Sequence, residues 1–125
     1  MDAGPTLNYD HAAAAAKAIA DLDDILHGTM SALPRSVTWQ RQLIAQLDDA
    51  SKHLQILRLT ISLERSGDES KGASQDLLRQ LRHALAQVTG SRADQATRGA
   101  VVLATKLAEK VDRSIALYLS SRATT

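Results

Sequence analysis

Apolar residues recur at steps of three and four along nearly the whole chain, the spacing that lines one side of an α-helix. Breakers divide the pattern into four stretches. The first, approximately 8–32, places Tyr9, Ala12, Ala16, Ile19, Leu22, Leu26, Met30 and Leu33 on its inward side. Asn8 is the expected cap, Asp10 falls in the first turn, and Gly28 weakens the last turns. Pro34 is the only proline after residue 5. A proline inside a helix loses a backbone donor and clashes with the preceding turn, so Leu33-Pro34 predicts a boundary.

A second helix is predicted over approximately 36–66, capped by Ser36 and stopped by Gly67. Leu43, Leu47, Ala50, Leu54, Leu57 and Ile61 form its central stripe. Ile44, Ile56, Leu59 and Leu63 widen that stripe beyond what one helix–helix seam uses. The polar run 67–72 reads as a loop. The third helix, approximately 73–89, turns Leu77, Leu78, Leu81, Ala84, Leu85 and Val88 inward and ends at Gly90. Ser91 with Asp94 three residues on predicts a capping box that opens the fourth, approximately 92–121. Its inward positions are Ala100, Val101, Ala104, Leu107, Ala108, Val111, Ile115 and Tyr118, while Val102, Leu103, Leu117 and Leu119 spread off that side. Four helices with short connections predict one all-α domain, an antiparallel up-down four-helix bundle. The surplus apolar width predicts that the bundle is oligomeric.

Composition agrees with helices. The 125 residues are 44% hydrophobic, yet only Tyr9, Trp39 and Tyr118 are aromatic. A Leu, Ile, Val and Ala core suits closely spaced helices better than a sheet. The absence of cysteine excludes disulfides and thiolate chemistry. The first residues lack the basic start and apolar run of a signal peptide, and no stretch approaches the roughly 18 apolar residues of a membrane span. A cytoplasmic protein without membrane attachment is expected.

The net charge is +1, but it is segregated. Up to Pro34 there is one base, Lys17, against five acids; from Arg35 onward there are 14 bases against 9 acids. Such separation gives a dipolar surface. Arginine outnumbers lysine in the basic part, which favours phosphate or carboxylate recognition.

Catalytic and metal chemistry find little support. Asp24 lies three residues before His27 and Asp49 four before His53, but a di-metal bundle needs Glu-x-x-His on two helices, and neither Glu64 nor Glu109 has a histidine at that spacing. These groups, and His83 beside Arg82, read as solvated helix faces. Nucleophilic triads and phosphate-cradling glycine loops are absent. No catalytic residue, metal, cofactor or small-molecule substrate is expected.

The basic residues support two readings. Arg58 and Arg65 share a face of the second helix, Arg79 and Arg82 are three apart on the third, and Lys106, Lys110 and Arg113 line the fourth. They are either ordinary solvated faces, paired locally as Asp76 with Arg79 or Glu109 with Arg113, or a common surface for nucleic-acid phosphates. Binding of the second kind is salt-sensitive and sequence-independent. So few aromatics leave no base-stacking platform.

Leu33-Pro34-Arg35-Ser36, followed by Trp39 and a leucine-rich helix, resembles the second-helix entry of the accessory variability proteins of diversity-generating retroelements, within the four-helix family of ribosomal S23-type inserts. Leu78-Arg79-Gln80-Leu81-Arg82, the early Tyr9, and the ending Val111 to Leu119 are similar as well. The chain departs from that family at Ala116-Leu117, where paired glycines are usual, and at Thr38, where an arginine is common. The resemblance implies a homopentamer without catalysis, which associates with a reverse transcriptase and template RNA during mutagenic copying. With Arg35 and Arg41 from the proline motif, the candidate partner-binding residues are Arg35, Arg41, Arg58, Arg65, Arg79, Arg82 and Arg113. The alternative is a protein-interaction adaptor without a nucleic-acid role, in which Asp21, Asp23 and Asp24 meet a basic partner.

Overall fold

The computed structural model describes residues 3–63 and 67–123, with side chains from 10–63 and 67–121. Four helices account for nearly all of them: α1 (Ala3–Ala32), α2 (Thr38–Ser62), α3 (Gly67–Thr89) and α4 (Gln95–Ala123). There is no strand among the described residues. Each helix touches two others. α1 lies beside α4 and α2, α3 lies beside the same two, and neither diagonal pair touches. The helices therefore run around the core in the order α1, α4, α3, α2.

The core is aliphatic. Leu22, Leu26, Leu47, Leu54, Leu57, Leu77, Leu81, Val101 and Val111 are fully buried. The central stripes of α2, α3 and α4 point inward as the spacing predicts, apart from Ile61, which is exposed near the end of α2. In α1 the register differs from expectation. Ala15 and Ala18 are buried, whereas Ala12 and Ala16 are exposed. A run of five identical alanines defines no face by itself, so Ile19, Leu22 and Leu26 fix the rotation.

Helix ends also correct the sequence reading. α1 starts at Ala3, five residues before the expected cap Asn8. It continues through Gly28, and Leu33 N–H still donates to the Thr29 carbonyl (3.1 Å) before Pro34 stops it. At the start of α2 the N-cap position falls on Val37, with an extended backbone (φ −122, ψ 160), and not on Ser36. Valine has no side-chain acceptor. Gln40 does the capping by reaching back, its Oε1 accepting from the backbone N–H of both Ser36 and Val37 at 3.2 Å.

The expected loop 67–72 is the first part of α3. Asp68 and Glu69 stand in its first turn, where carboxylates favour a helix start. Ser70, Ala73 and Ser74 are buried against neighbouring helices. Ser70 Oγ donates to Thr60 Oγ1 on α2 (3.5 Å), and Ser74 Oγ donates to Asp112 Oδ1 on α4 (2.6 Å). Tertiary packing overrides the poor helix propensity of that stretch. Asp94, not Ser91, caps α4: Thr97 N–H donates to its Oδ2 (3.0 Å) and Thr97 Oγ1 to its Oδ1 (2.7 Å). Ser91 instead bonds the Val88 carbonyl and accepts from Ala93 N–H, shaping the turn.

Polar side chains stitch the seams. Between α2 and α3, Gln46 Nε2 donates to Gln87 Oε1, Gln87 Nε2 donates to Gln42 Oε1 (2.8 Å), and Gln80 Nε2 donates to the Gln46 carbonyl (3.4 Å). The α1–α2 seam is the sparsest and centres on Asp23, whose carboxylate faces Gln55 Nε2 (3.3 Å), Arg58 (3.6 Å) and His27 (3.2 Å).

Candidate anion-binding surface

The two turns α1–α2 and α3–α4 meet at one end of the bundle. Thr29, Pro34 and Gln40 from the first, with Asp94, Thr97 and Ala100 from the second, line a shared cleft of about 380 Å³. Pro34 directs the chain out of α1 at this point, and the two caps, Gln40 and Asp94, hold the starts of α2 and α4 beside it.

Arginines flank the cleft-lining residues on both sides. Arg35 and Arg41 adjoin Pro34 and Gln40; Arg92 and Arg98 bracket Asp94 and Thr97. All four are exposed. Arg41 folds back on its own turn, donating from Nη1 to the Arg35 carbonyl (3.0 Å) and from Nη2 to Thr38 Oγ1 (3.4 Å). None of the four has a carboxylate partner among the described residues. Asp94 is the sole acid in 33–41 and 90–100. Its carboxyl is held below the ordinary carboxylate value, first by the Thr97 hydroxyl and then by the Thr97 backbone N–H. It is therefore ionised at neutral pH and engaged as a helix cap. Four guanidinium groups against one committed carboxylate give these two turns an excess of positive charge.

Of the other arginines singled out from the sequence, Arg58, Arg79 and Arg82 have carboxylate partners. Arg58 turns to Asp23 across the α1–α2 seam (3.6 Å) and Arg82 reaches Glu109 on α4 (3.8 Å). Arg79 pairs with Asp76 (3.0 Å), the local pair the spacing anticipates. Glu109 serves Arg82 and not Arg113, which is exposed on the outer side of α4. Arg65 lies outside the described residues. His27 pairs with Asp23 in place of Asp24, and no group of three or more His, Asp or Glu able to hold a metal occurs among the described residues.

Arg92 and Arg98 were not among the residues that spacing pointed to. Their signal is positional: the α1–α2 and α3–α4 turns, far apart in sequence, line one cleft. Among the described residues, no helix is long and apolar enough to cross a membrane. Compared with known protein families, curated proteins and solved structures, the chain matches none.

Proposed function

We propose that this chain is an accessory helical bundle without catalysis of its own, which binds the phosphate backbone of RNA at its arginine-bearing end. In the specific form that the sequence resemblance implies, the RNA is the template of a diversity-generating retroelement and a reverse transcriptase is the protein partner. The helices run antiparallel, up and down, and the bundle self-associates in the cytoplasm. Support for the alternating direction comes from linked pairs such as Thr60 with Ser70 and Gln42 with Gln87, or Ser74 with Asp112. The observation that carries the binding proposal is that Arg35, Arg41, Arg92 and Arg98, all exposed, neighbour in sequence the residues lining one cleft, whose single acid is a helix cap.

Salt titration of RNA binding tests it. Four phosphate contacts to a single strand give a slope of log K against log salt of about −2.8, or about 50-fold weaker binding from 50 to 200 mM. Replacing Arg35 and Arg98 together by Gln halves the slope to about −1.4 and the loss to about 7-fold. An unchanged slope in that variant, with helicity intact, refutes the site. An adaptor that meets only proteins is the second reading, favoured by the pairing of Arg58, Arg79 and Arg82 with carboxylates. It predicts no RNA retention even at 50 mM salt or so.

A further inference from the structure

An outer strip on α1 and another on α2 carry the same spacing, and the core uses neither. On α1, Ala13, Lys17, Ala20, Asp24 and His27 follow one another in alternating steps of four and three, and every one is exposed. On α2, Leu63, Leu59, Ile56, Lys52 and Asp49 repeat those steps when read backwards, and all are exposed as well. Such alternation is the pattern of a helix seam that packs against another helix. Core positions occupy the opposite sides, with Leu22 and Leu26 on α1 and Leu47, Leu54 and Leu57 on α2. Ile56, Leu59 and Leu63 are each more than half exposed, an aliphatic run that a single copy leaves in water. Each strip is about 21 Å long at about 1.5 Å per residue. No residue of either strip lines the cleft at the arginine-bearing end.

The strips are complementary in shape and charge. Laid in opposite directions with Asp24 against Lys52, they match position for position. Leu63 falls on Ala13 and Ile56 on Ala20, small residues that admit a large side chain. Leu59 falls on the aliphatic stem of Lys17, whose ammonium is turned aside to Asp21 (3.0 Å). Lys52, held by Asp48 (3.2 Å), gains a second carboxylate in Asp24, and Asp49 meets His27. Neither Asp24 nor Asp49 has an ion-pair partner among the described residues. No like charges stand opposite one another in this register. Slipping it by one heptad sets Lys52 on Lys17 in one direction and Leu59 on Asp24 in the other. Running the strips in the same direction, with Lys17 against Asp49, sets Asp24 on Ile56.

We infer that the outer face of α1 on one copy docks against the outer face of α2 on the next, antiparallel, in the register Asp24–Lys52 and Ala20–Ile56, and that the contact closes as a ring. The inference rests on the self-association and alternating helix direction of the reading above and names the surfaces. Because α1 and α2 run in opposite directions within a copy, an antiparallel contact between copies leaves neighbouring bundles pointing the same way. Each contact leaves one strip of either kind unused, so the association is head-to-tail. α1 and α2 occupy adjacent corners of the bundle. Seen from the bundle axis, adjacent corners stand about 90° apart, and a closed ring needs about 90° for four copies or about 108° for five. The α1–α2 seam is the sparsest of the four, so this corner opens towards the wider angle most easily. The arginine-bearing ends of all copies then lie on one rim of the ring.

The chain has no cysteine, which makes cross-linking a clean test. Ala20→Cys and Ile56→Cys variants, mixed and oxidised, form a disulfide dimer, and neither alone cross-links appreciably. The double variant forms a ladder that ends at the closed ring. Self-cross-linking of Ile56→Cys as efficient as in the mixture overturns the head-to-tail geometry. A ladder without an end, or a mass in light scattering that keeps growing with concentration, overturns closure. A single-copy mass at every concentration overturns the contact altogether. Charge reversal gives an independent arm: Lys52→Glu weakens self-association roughly tenfold, and adding Asp24→Lys recovers it. Failure of the second change to recover it overturns the register. These variants keep the wild-type salt slope for an oligoribonucleotide that occupies one arginine-bearing end, and the Arg35 and Arg98 double variant keeps the ring mass. Loss of RNA binding and loss of self-association are therefore read separately.

Discussion

Leu57 and Leu59 stand two residues apart on α2 and offer a sharp test of the rotation of that helix. Leu57 is 0% exposed and Leu59 58%. Truncating a leucine in a packed core costs about 2.7–5 kcal/mol, transfer and cavity terms together. Leu59 has about two-fifths of its surface covered, so scaling the ~1.5–3 kcal/mol for full burial leaves about 1 kcal/mol or less. At about 4 °C per kcal/mol for a chain of this length, Leu57→Ala lowers Tm by about 10–20 °C and Leu59→Ala by about 4 °C at most. Thermal melts by circular dichroism in dilute solution, with urea unfolding as a check, measure both. Equal deficits for the two variants, or a larger one at Leu59, would refute the rotation.

Gly28→Ala raises stability by about 0.5–1 kcal/mol in urea unfolding, because the position is helical and a Cβ there meets nothing within 4 Å. Ser74→Ala lowers it by about 1–2 kcal/mol, since the fully buried hydroxyl bonds Asp112 and its loss leaves a half-buried carboxylate short of a donor. Asp94→Ala removes a cap whose strength depends on pH. The folded carboxyl titrates below its unfolded counterpart, so its stabilisation is complete above the unfolded value and disappears as pH falls through the folded one. The Tm gap between wild type and Asp94→Ala is therefore full near pH 7 and closes as the pH falls below the ordinary aspartate value of about 3.9; a gap that widens on acidification contradicts the cap assignment.

The elements that carry their own apolar period were legible in the sequence. Leu43 to Leu57, Leu77 to Val88 and Val101 to Ile115 turn inward where the spacing puts them, and the break at Pro34 needs only the geometry of proline. The start of α3 was not legible, because Gly67 to Gly72 has the composition of a loop and its helicity follows from burial of Ser70 and Ser74 against other helices. The alanine run in α1 could not reveal its own rotation for want of contrast among its members. Ion-pair partners three or four residues apart, as Asp76 with Arg79, follow from one helix; Arg58 with Asp23 and Arg82 with Glu109 depend on how two helices slide past one another. The arginine end was half visible. Arg35 and Arg41 belong to the proline motif, but Arg92 and Arg98 acquire meaning only once two distant turns are brought together.

The thin α1–α2 seam has a mechanical consequence. One carboxylate, Asp23, takes the two polar contacts from α2 there, Gln55 and Arg58, while α1 is fastened chiefly to α4. Under load or denaturant the molecule parts first along that line, like a barrel with one stave clipped at a single rivet. Amides of α2, which keeps only its contact with α3, then exchange with solvent ahead of the rest, and a protease finds its earliest cut near Pro34.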